Sequence, residues 1–397
     1  MQVFPLHTDS AEVPGIMERY TVSHTGIELM RDRFLQRTFV VKGLSSQGSN
    51  ALKQHLLSLG GEAALPKHAI AGGPDKCDLI FSLRDDRFPA LLERLRMQCF
   101  HLPELADAIQ KFRAATGPWY DFRHDRIPAD RPAVMAILNV TPDSFSDGGR
   151  WATPDAAVAR ADELIAAGSD ILDIGGESTR PGAAPVDADE ETRRVVPVIA
   201  RVRKAHPAAV ISIDTAKAAV AAAALEAGAD IVNDITAGAD PAMLGLVARA
   251  AVPYVMMHIQ GTPRTMQQDP RYDDILADIN AYFDAAIVRA LDAGVKRERL
   301  ILDPGFGFGK SAAHNLTLLK HLEAFTIHCL PLLAGLSRKS FIGAVTGRKD
   351  AGDRLAGTLV AQTIALSKGA AILRVHDVAA ARDIILMHRA VREAPCC

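Results

Sequence analysis

The chain has 397 residues, more than one average domain, so two or three domains are expected. With 48% hydrophobic and 23% charged residues it has the balance of a folded globular protein, which excludes a disordered or collagen-like chain. Lys and Arg total 45 against 47 Asp and Glu, so the net charge of −2 lacks the basic excess of a nucleic-acid binder.

The N-terminal stretch MQVFPLHTDSAEVPG has neither a basic head nor an apolar core segment, so no secretory signal is expected. Apolar runs such as Ala218–Leu225 fall far short of the roughly 20 residues a spanning helix needs, so no membrane partner is expected. Cys77, Cys99, Cys329, Cys396 and Cys397 are scattered and odd in number, without metal spacing. They read as free thiols of a reducing, cytoplasmic compartment.

In chain order, Thr38–Leu44 reads as a strand and Ser49–Leu59 as an amphipathic helix stopped by Gly60-Gly61. Asp78–Leu83 reads as a second strand and Arg87–Gln98 as a second helix. Residues 1–117 are therefore expected to form a small α/β extension, in which no catalytic residue types cluster. Residues 118–131 are rich in proline and charge and have no apolar period, as a linker would be. Trp119 and Tyr120 within it read as packing anchors.

From residue 132 to 397 short aliphatic runs alternate with Ala-rich helical stretches. The predicted strands are Val134–Val140, Ile171–Gly175, Val210–Asp214, Ile231–Ile235, Tyr254–Ile259, Leu300–Pro304, Leu332–Leu336 and Ala371–His376. Helices are predicted at Asp155–Ala167, Glu190–Lys204, Ala216–Ala227, Asp273–Ala293 and Arg354–Ser367. Such alternation implies parallel pairing, and this length suits a (β/α)8 TIM barrel of about 250 residues. An open doubly wound sheet is the competing α/β fold, but its GxGxxG signature does not follow the first strand.

A barrel collects its chemistry at the C-terminal ends of its strands. There the predicted strands carry Asn139, Asp173, Asp214, Asn233, His258, Asp303, Ser337 and the pair Arg374 and His376. Buried Asp and Asn suit a flat heterocycle with adjacent N–H donors, because a carboxylate accepts two parallel hydrogen bonds. Lys339, Arg374 and His376 are read as a positively charged corner for phosphate. Asn139 with nearby carboxylates offers oxygen to Mg²⁺. His258 reads as a pocket wall rather than a catalytic acid. The Gly-rich loops Asp143–Gly149 and Gly175–Gly182 carry Asp143, Asp147, Glu177 and Arg180 beside this ring and read as closing loops. The run PGFGFGKS at 304–311 misses the phosphate-loop pattern by one position, since Pro304 stands where glycine is required.

Eight blocks are more specific than composition: ILNVTPDSFSDGG (137–149), DIGGESTRPGA (173–183), ISIDT (211–215), IVNDI (231–235), MMHIQGTP (256–263), ILDPGFGFGK (301–310), LSRKSFIG (336–343) and RVHDV (374–378). On these the chain closely resembles dihydropteroate synthase, the folate-pathway family targeted by sulfonamides, from about Pro132 to Val391. The resemblance implies a homodimeric, Mg²⁺-requiring barrel that joins dihydropterin pyrophosphate to 4-aminobenzoate and releases pyrophosphate. It implies that Asn139 ligates the metal and that Asp214, Asn233 and Asp303 hold the pterin. Lys339 would lie over the pterin, near the substrates' junction, and Arg374 and His376 would bind pyrophosphate. Thr179, Arg180 and Pro181 would shape the 4-aminobenzoate site, with Phe308 and Ser337 at its edge. Ser340 would open a short helix whose amides receive the benzoate carboxylate. Lys339, Arg374, His376 and Asp214 are thus the expected catalytic set. The extension before the barrel is a departure from common members and no motif names its role. Two alternatives are a methyltetrahydrofolate-binding methyltransferase domain, which has no use for a pyrophosphate corner, and a catalytically silent pterin-binding paralogue.

Overall fold

The computed structural model describes residues 12–70, 76–114, 131–141, 154–178 and 184–394. The chain divides into two compact units, Met1–Thr116 with Glu393–Cys397, and Gly117–Arg392.

The first unit begins with helices α1 (Glu12–Arg19) and α2 (His24–Met30) and continues through β1 (Gln36–Leu44), α3 (Ser46–Ser58), β2 (Glu62–Ala64), α4 (Lys67–Ile70), β3 (Cys77–Arg84), α5 (Phe88–Arg96) and α6 (Leu102–Ala114). Its antiparallel sheet has the order β1-β3-β2. Along β3 the residues Cys77, Leu79, Phe81 and Leu83 are buried and their neighbours are more open, the alternation of a sheet with one covered face. These side chains pack with Leu52 and Leu56 of α3, Leu91 and Leu95 of α5 and Ile109 of α6. The two expected strands and two expected helices are all present, with α1, α2, β2, α4 and α6 in addition.

The second unit is a closed barrel of eight parallel strands, confirming the (β/α)8 reading over the open sheet. In order it contains β4 (Ala133–Asn139), α7 (Pro154–Ala166), β5 (Ile171–Gly175), α8 (Ala188–Ala205), β6 (Val210–Asp214), α9 (Ala218–Glu226), β7 (Ile231–Asp234), α10 (Met243–Ala250), β8 (Tyr254–Met257) and α11 (Ile275–Asp292). It ends with β9 (Leu300–Asp303), α12 (Ala312–Lys320), β10 (Leu332–Ala334), α13 (Ser340–Thr346), α14 (Leu355–Ser367), β11 (Ala370–Val375) and α15 (Val378–Glu393).

Strand periodicity decides which residues reach the barrel mouth. Ile171, Val210, Ile231, Val255, Ile301 and Leu333 form an apolar layer inside the barrel. Their neighbours Leu172, Ile211, Val232, Tyr254, Leu302 and Leu332 belong instead to the large core shared with the helices. Side chains alternate along a strand, so two residues beyond the inner layer come Asp173, Asn233 and Asp303, each on the inward face. An apolar floor therefore carries a polar storey. Most strands end one or two residues sooner than predicted, so His258 and His376 stand just past β8 and β11 rather than within them, and Ser337 lies three residues beyond β10.

Candidate active site

Strand register sets neighbours along the rim: Asn139 is level with Gly175, Gly175 with Asp214, and Asp214 with Asn233. Gly175 stands between the two side chains: a Cβ there would lie at ordinary contact distance, 3.4 Å from the Asp214 Cβ and 3.7 Å from Asn139 Oδ1. The expected Asn139 and Asp214 therefore flank one glycine.

One pocket at this end is lined by Asp214, Asn233, Asp303, Phe308, Lys339 and Arg374, with Ile235, Met257 and Phe306 as apolar walls. Arg374 rises from β11 and binds two carboxylates, its Nε donating to Asp173 Oδ2 at 2.6 Å and its Nη2 to Asp214 Oδ2 at 2.6 Å. Asn233 Nδ2 donates to the same Asp173 oxygen at 3.1 Å. Asp173 is fully buried, and its Oδ1 has no hydrogen-bond partner among the described residues. It is the hub that ties Arg374 to Asn233, a role for which its type and position gave no separate signal. Burial raises the Asp214 carboxyl to about 7, against the pull of Arg374 and with a further push from Asp173.

Asp303 Oδ1 accepts from the Gly305 backbone N–H at 2.7 Å. Its carboxyl lines the pocket beside Gly335, where a Cβ would lie 3.9 Å from Oδ2. Burial raises its pKa too, opposed by that hydrogen bond and by Lys339. The Lys339 stem crosses Gly307, where a Cβ would meet its Cδ at 3.1 Å. Its Nζ lies 4.3 Å from the centre of the Phe308 ring. Burial, reinforced by Arg374, pushes Lys339 down to about 8.

The expected positive corner needs correction at two places. His376 is pushed down to about 4 by burial and then by Arg374 and Arg338, so it is neutral near pH 7. Its ring Nδ1 lies 2.9 Å from Ser337 Oγ, which also accepts from the His376 backbone N–H at 3.2 Å. With Nδ1 as acceptor the ring proton sits on Nε2, available as a donor. Arg374 keeps its charge but spends it on Asp173 and Asp214 rather than holding it free. Sequence reasoning also missed Arg338, which grips Asp377 through Nε at 3.0 Å and Nη2 at 2.6 Å and so joins the turns after β10 and β11. Ser337 is buried, and Ser340 does open α13, with Lys339 as the residue before it. Thr179, Arg180 and Pro181, with Asp143 and Asp147, lie outside the described residues. Glu177 is paired with Lys217. Among the described residues no three His, Cys, Asp or Glu side chains converge to hold a metal. Asn139 supplies a single amide oxygen at the rim, a donor set that suits Mg²⁺ held mainly by phosphate and water.

The sequence profile of a family described as "Pterin binding enzyme" matches residues 135–376, the span that carries this pocket. The dihydropteroate synthase of Escherichia coli (strain K12) is 48% identical over 247 residues, covering 62% of this chain and 87% of that protein. The chain belongs to the dihydropteroate synthase family of pterin-binding enzymes. Among solved structures, the dihydropteroate synthase of Xanthomonas albilineans with 4-aminobenzoic acid has a TM-score of 0.64 and 48% identity, covering 67% of this chain and 95% of that one. A probable bifunctional folylpolyglutamate synthase/dihydropteroate synthase of Haloferax volcanii is 41% identical over 343 residues, covering 83% of this chain and 40% of that protein. That match is longer than the barrel unit, so part of the first unit also has a counterpart in a dihydropteroate synthase relative.

Proposed function

We propose that this pocket joins 7,8-dihydropterin-6-ylmethyl diphosphate to 4-aminobenzoate, forming 7,8-dihydropteroate and pyrophosphate in tetrahydrofolate biosynthesis. One observation carries the reading: Asp214, Asn233 and Asp303 line the same buried pocket as Lys339 and Arg374. The first three match the N–H edge of a pterin and the last two match an anionic leaving group. The Xanthomonas albilineans relative was solved with 4-aminobenzoic acid, which supports the second substrate.

On this reading the pterin takes up Asp303 Oδ2 and one side of the Asp214 carboxylate. Arg374 gives up its hold on Asp214 and turns its guanidinium to the diphosphate, while Asp173 keeps its Nε anchored. The bond between the methylene carbon and the diphosphate oxygen breaks, and the electron pair leaves with the diphosphate. The ring shares the positive charge of the methylene carbon until the aniline nitrogen bonds to it and loses a proton to solvent. No strong base is required. The chain contributes charge neutralisation by Lys339 and Arg374, a hydrogen bond from His376 Nε2, and exclusion of water. Asn139 is proposed to help hold Mg²⁺, which would supply neutralisation of the leaving-group charge. Thr179, Arg180, Pro181, Phe308, Ser337 and Ser340 are proposed to shape the 4-aminobenzoate side. Sulfonamides, which share the aniline, would compete there.

A homodimer is proposed through the barrel helices, supported by exposed Val360 and Ile364 on α14 and Leu386 on α15. Cytoplasmic residence is supported by Cys77 and Cys99, which form no disulfide among the described residues.

The test is pyrophosphate release from dihydropterin diphosphate with and without 4-aminobenzoate. Release that depends on the amine, with dihydropteroate formed in equal amount, supports the proposal. Absence of release with both substrates and Mg²⁺ present contradicts it.

A further inference from the structure

Lys310 belongs to the run that misses the phosphate-loop pattern, and it is not free to meet a ligand, being only 2% exposed. Its Nζ donates to the Phe308 carbonyl at 2.9 Å and sits 2.9 Å from His258 Nδ1 and 3.4 Å from the His258 carbonyl. Burial and the neighbouring Lys310 push His258 down to about 3, so its Nδ1 can accept. Burial pushes Lys310 itself down to about 7; in its protonated form it has three N–H donors, and three acceptors surround it.

This placement is a poor choice for stability alone. No carboxylate is among its hydrogen-bond or ion-pair partners within the described residues. Burying an ammonium without one costs more than burying an apolar side chain of the same length. The benefit has to lie in what Lys310 holds. Its partner carbonyl belongs to Phe308, at the crest of a loop in which Gly305, Gly307 and Gly309 all adopt positive φ. Each crest carbonyl meets a different donor: Gln267 Nε2 on Gly307 at 2.6 Å, Lys310 on Phe308, and the Tyr272 hydroxyl on Gly309 at 2.8 Å. A loop of alternating glycines has no intrinsic preference for one course, so these side chains choose it. The Phe308 ring, thus aimed, is the surface that Lys339 Nζ covers.

We propose that Lys310 is a positioning residue for the second substrate: by clamping the Phe308 carbonyl to the His258 end of β8, it holds the Phe308 ring against the Lys339 amine at the edge of the 4-aminobenzoate site. This rests on the proposed function for the identity of the substrate, but not for the geometry.

The full chain is compared with Lys310→Met, Phe308→Ala and the double variant. Turnover by the unaltered chain tests the proposed function separately. In Lys310→Met the KM for 4-aminobenzoate rises about tenfold while that for dihydropterin diphosphate stays within about twofold. In the Phe308→Ala background the same change has little further effect, because the two act through one group. Equal change in both KM values, or full additivity, would overturn the proposal. Crystal structures give a reading that needs no turnover. In Lys310→Met the Phe308 ring is displaced, and a ring still 4.3 Å from Lys339 Nζ overturns the clamp. Should the methionine variant not fold, Lys310→Gln, which keeps an uncharged N–H donor group, gives a smaller shift in the same readings.

Discussion

Burial sets the protonation of Asp214 and Lys339, and this gives the residue scale its sharpest prediction. Asp214 is lifted to about 7 and Lys339 lowered to about 8. Below the first value Asp214 gains a proton and would lose the charge with which it is proposed to accept from the pterin N–H edge. Above the second Lys339 loses its charge and the diphosphate its neutralising partner. The kcat/KM for dihydropterin diphosphate is therefore expected to form a bell that falls on either side of pH about 7 to 8. Lys339→Arg, which stays charged, should shift the alkaline limb upward. A flat profile across that range contradicts the assignment. Asp173→Asn tests the hub: it removes the charge that holds Arg374 and should lower kcat/KM by about a hundredfold, typical of a broken buried charge pair, with the fold retained by circular dichroism. At this scale the types of the site residues were legible in the sequence, because strand-end positions announce them. Their states were not. That His376 is neutral and Arg374 already engaged follows from burial and from neighbours more than a hundred residues away in the chain, such as Asp173 and Asp214.

At the scale of elements, the barrel strands were legible because each is a short aliphatic run whose alternate residues face either the apolar floor or the helices. The first unit was less so. β2 has only three residues, of which Ala63 alone is buried, too few to display a period. α6 follows Phe100 and His101, both at positive φ, without a Ser, Thr, Asp or Asn to announce its start. The loop after β9 shows how a missing side chain can matter as much as a present one. A Cβ on Gly305, which has φ +70°, would fall 2.0 Å from the His258 carbonyl oxygen. Gly305→Ala is expected to destabilise the protein by about 2–4 kcal/mol, combining backbone strain with a forced shift of the loop. Gly352→Ala, with nothing within 4 Å of the added atom, should stay within about 0.5 kcal/mol. Thermal unfolding compares the two. Equal stability of both variants would show that the close approach at Gly305 is not real.

For the whole molecule, each unit has a hydrophobic core of its own, one led by Leu52, Phe81, Phe88 and Leu95 and the other surrounding the barrel. A unit with its own core is able to fold alone. A chain shortened to residues 117–397 should accordingly fold and keep amine-dependent turnover. Loss of folding on that deletion would assign the first unit a structural role, and loss of turnover alone a catalytic one. The proposed reaction requires the pterin to lie between Asp214 and Asp303, beneath Lys339. Calorimetric titration of dihydropterin diphosphate into the unaltered chain and into Asp214→Asn and Asp303→Asn measures this directly. Each substitution is expected to weaken binding by about a hundredfold, since a charged acceptor for a pterin N–H is lost. Unchanged affinity in both variants would contradict it.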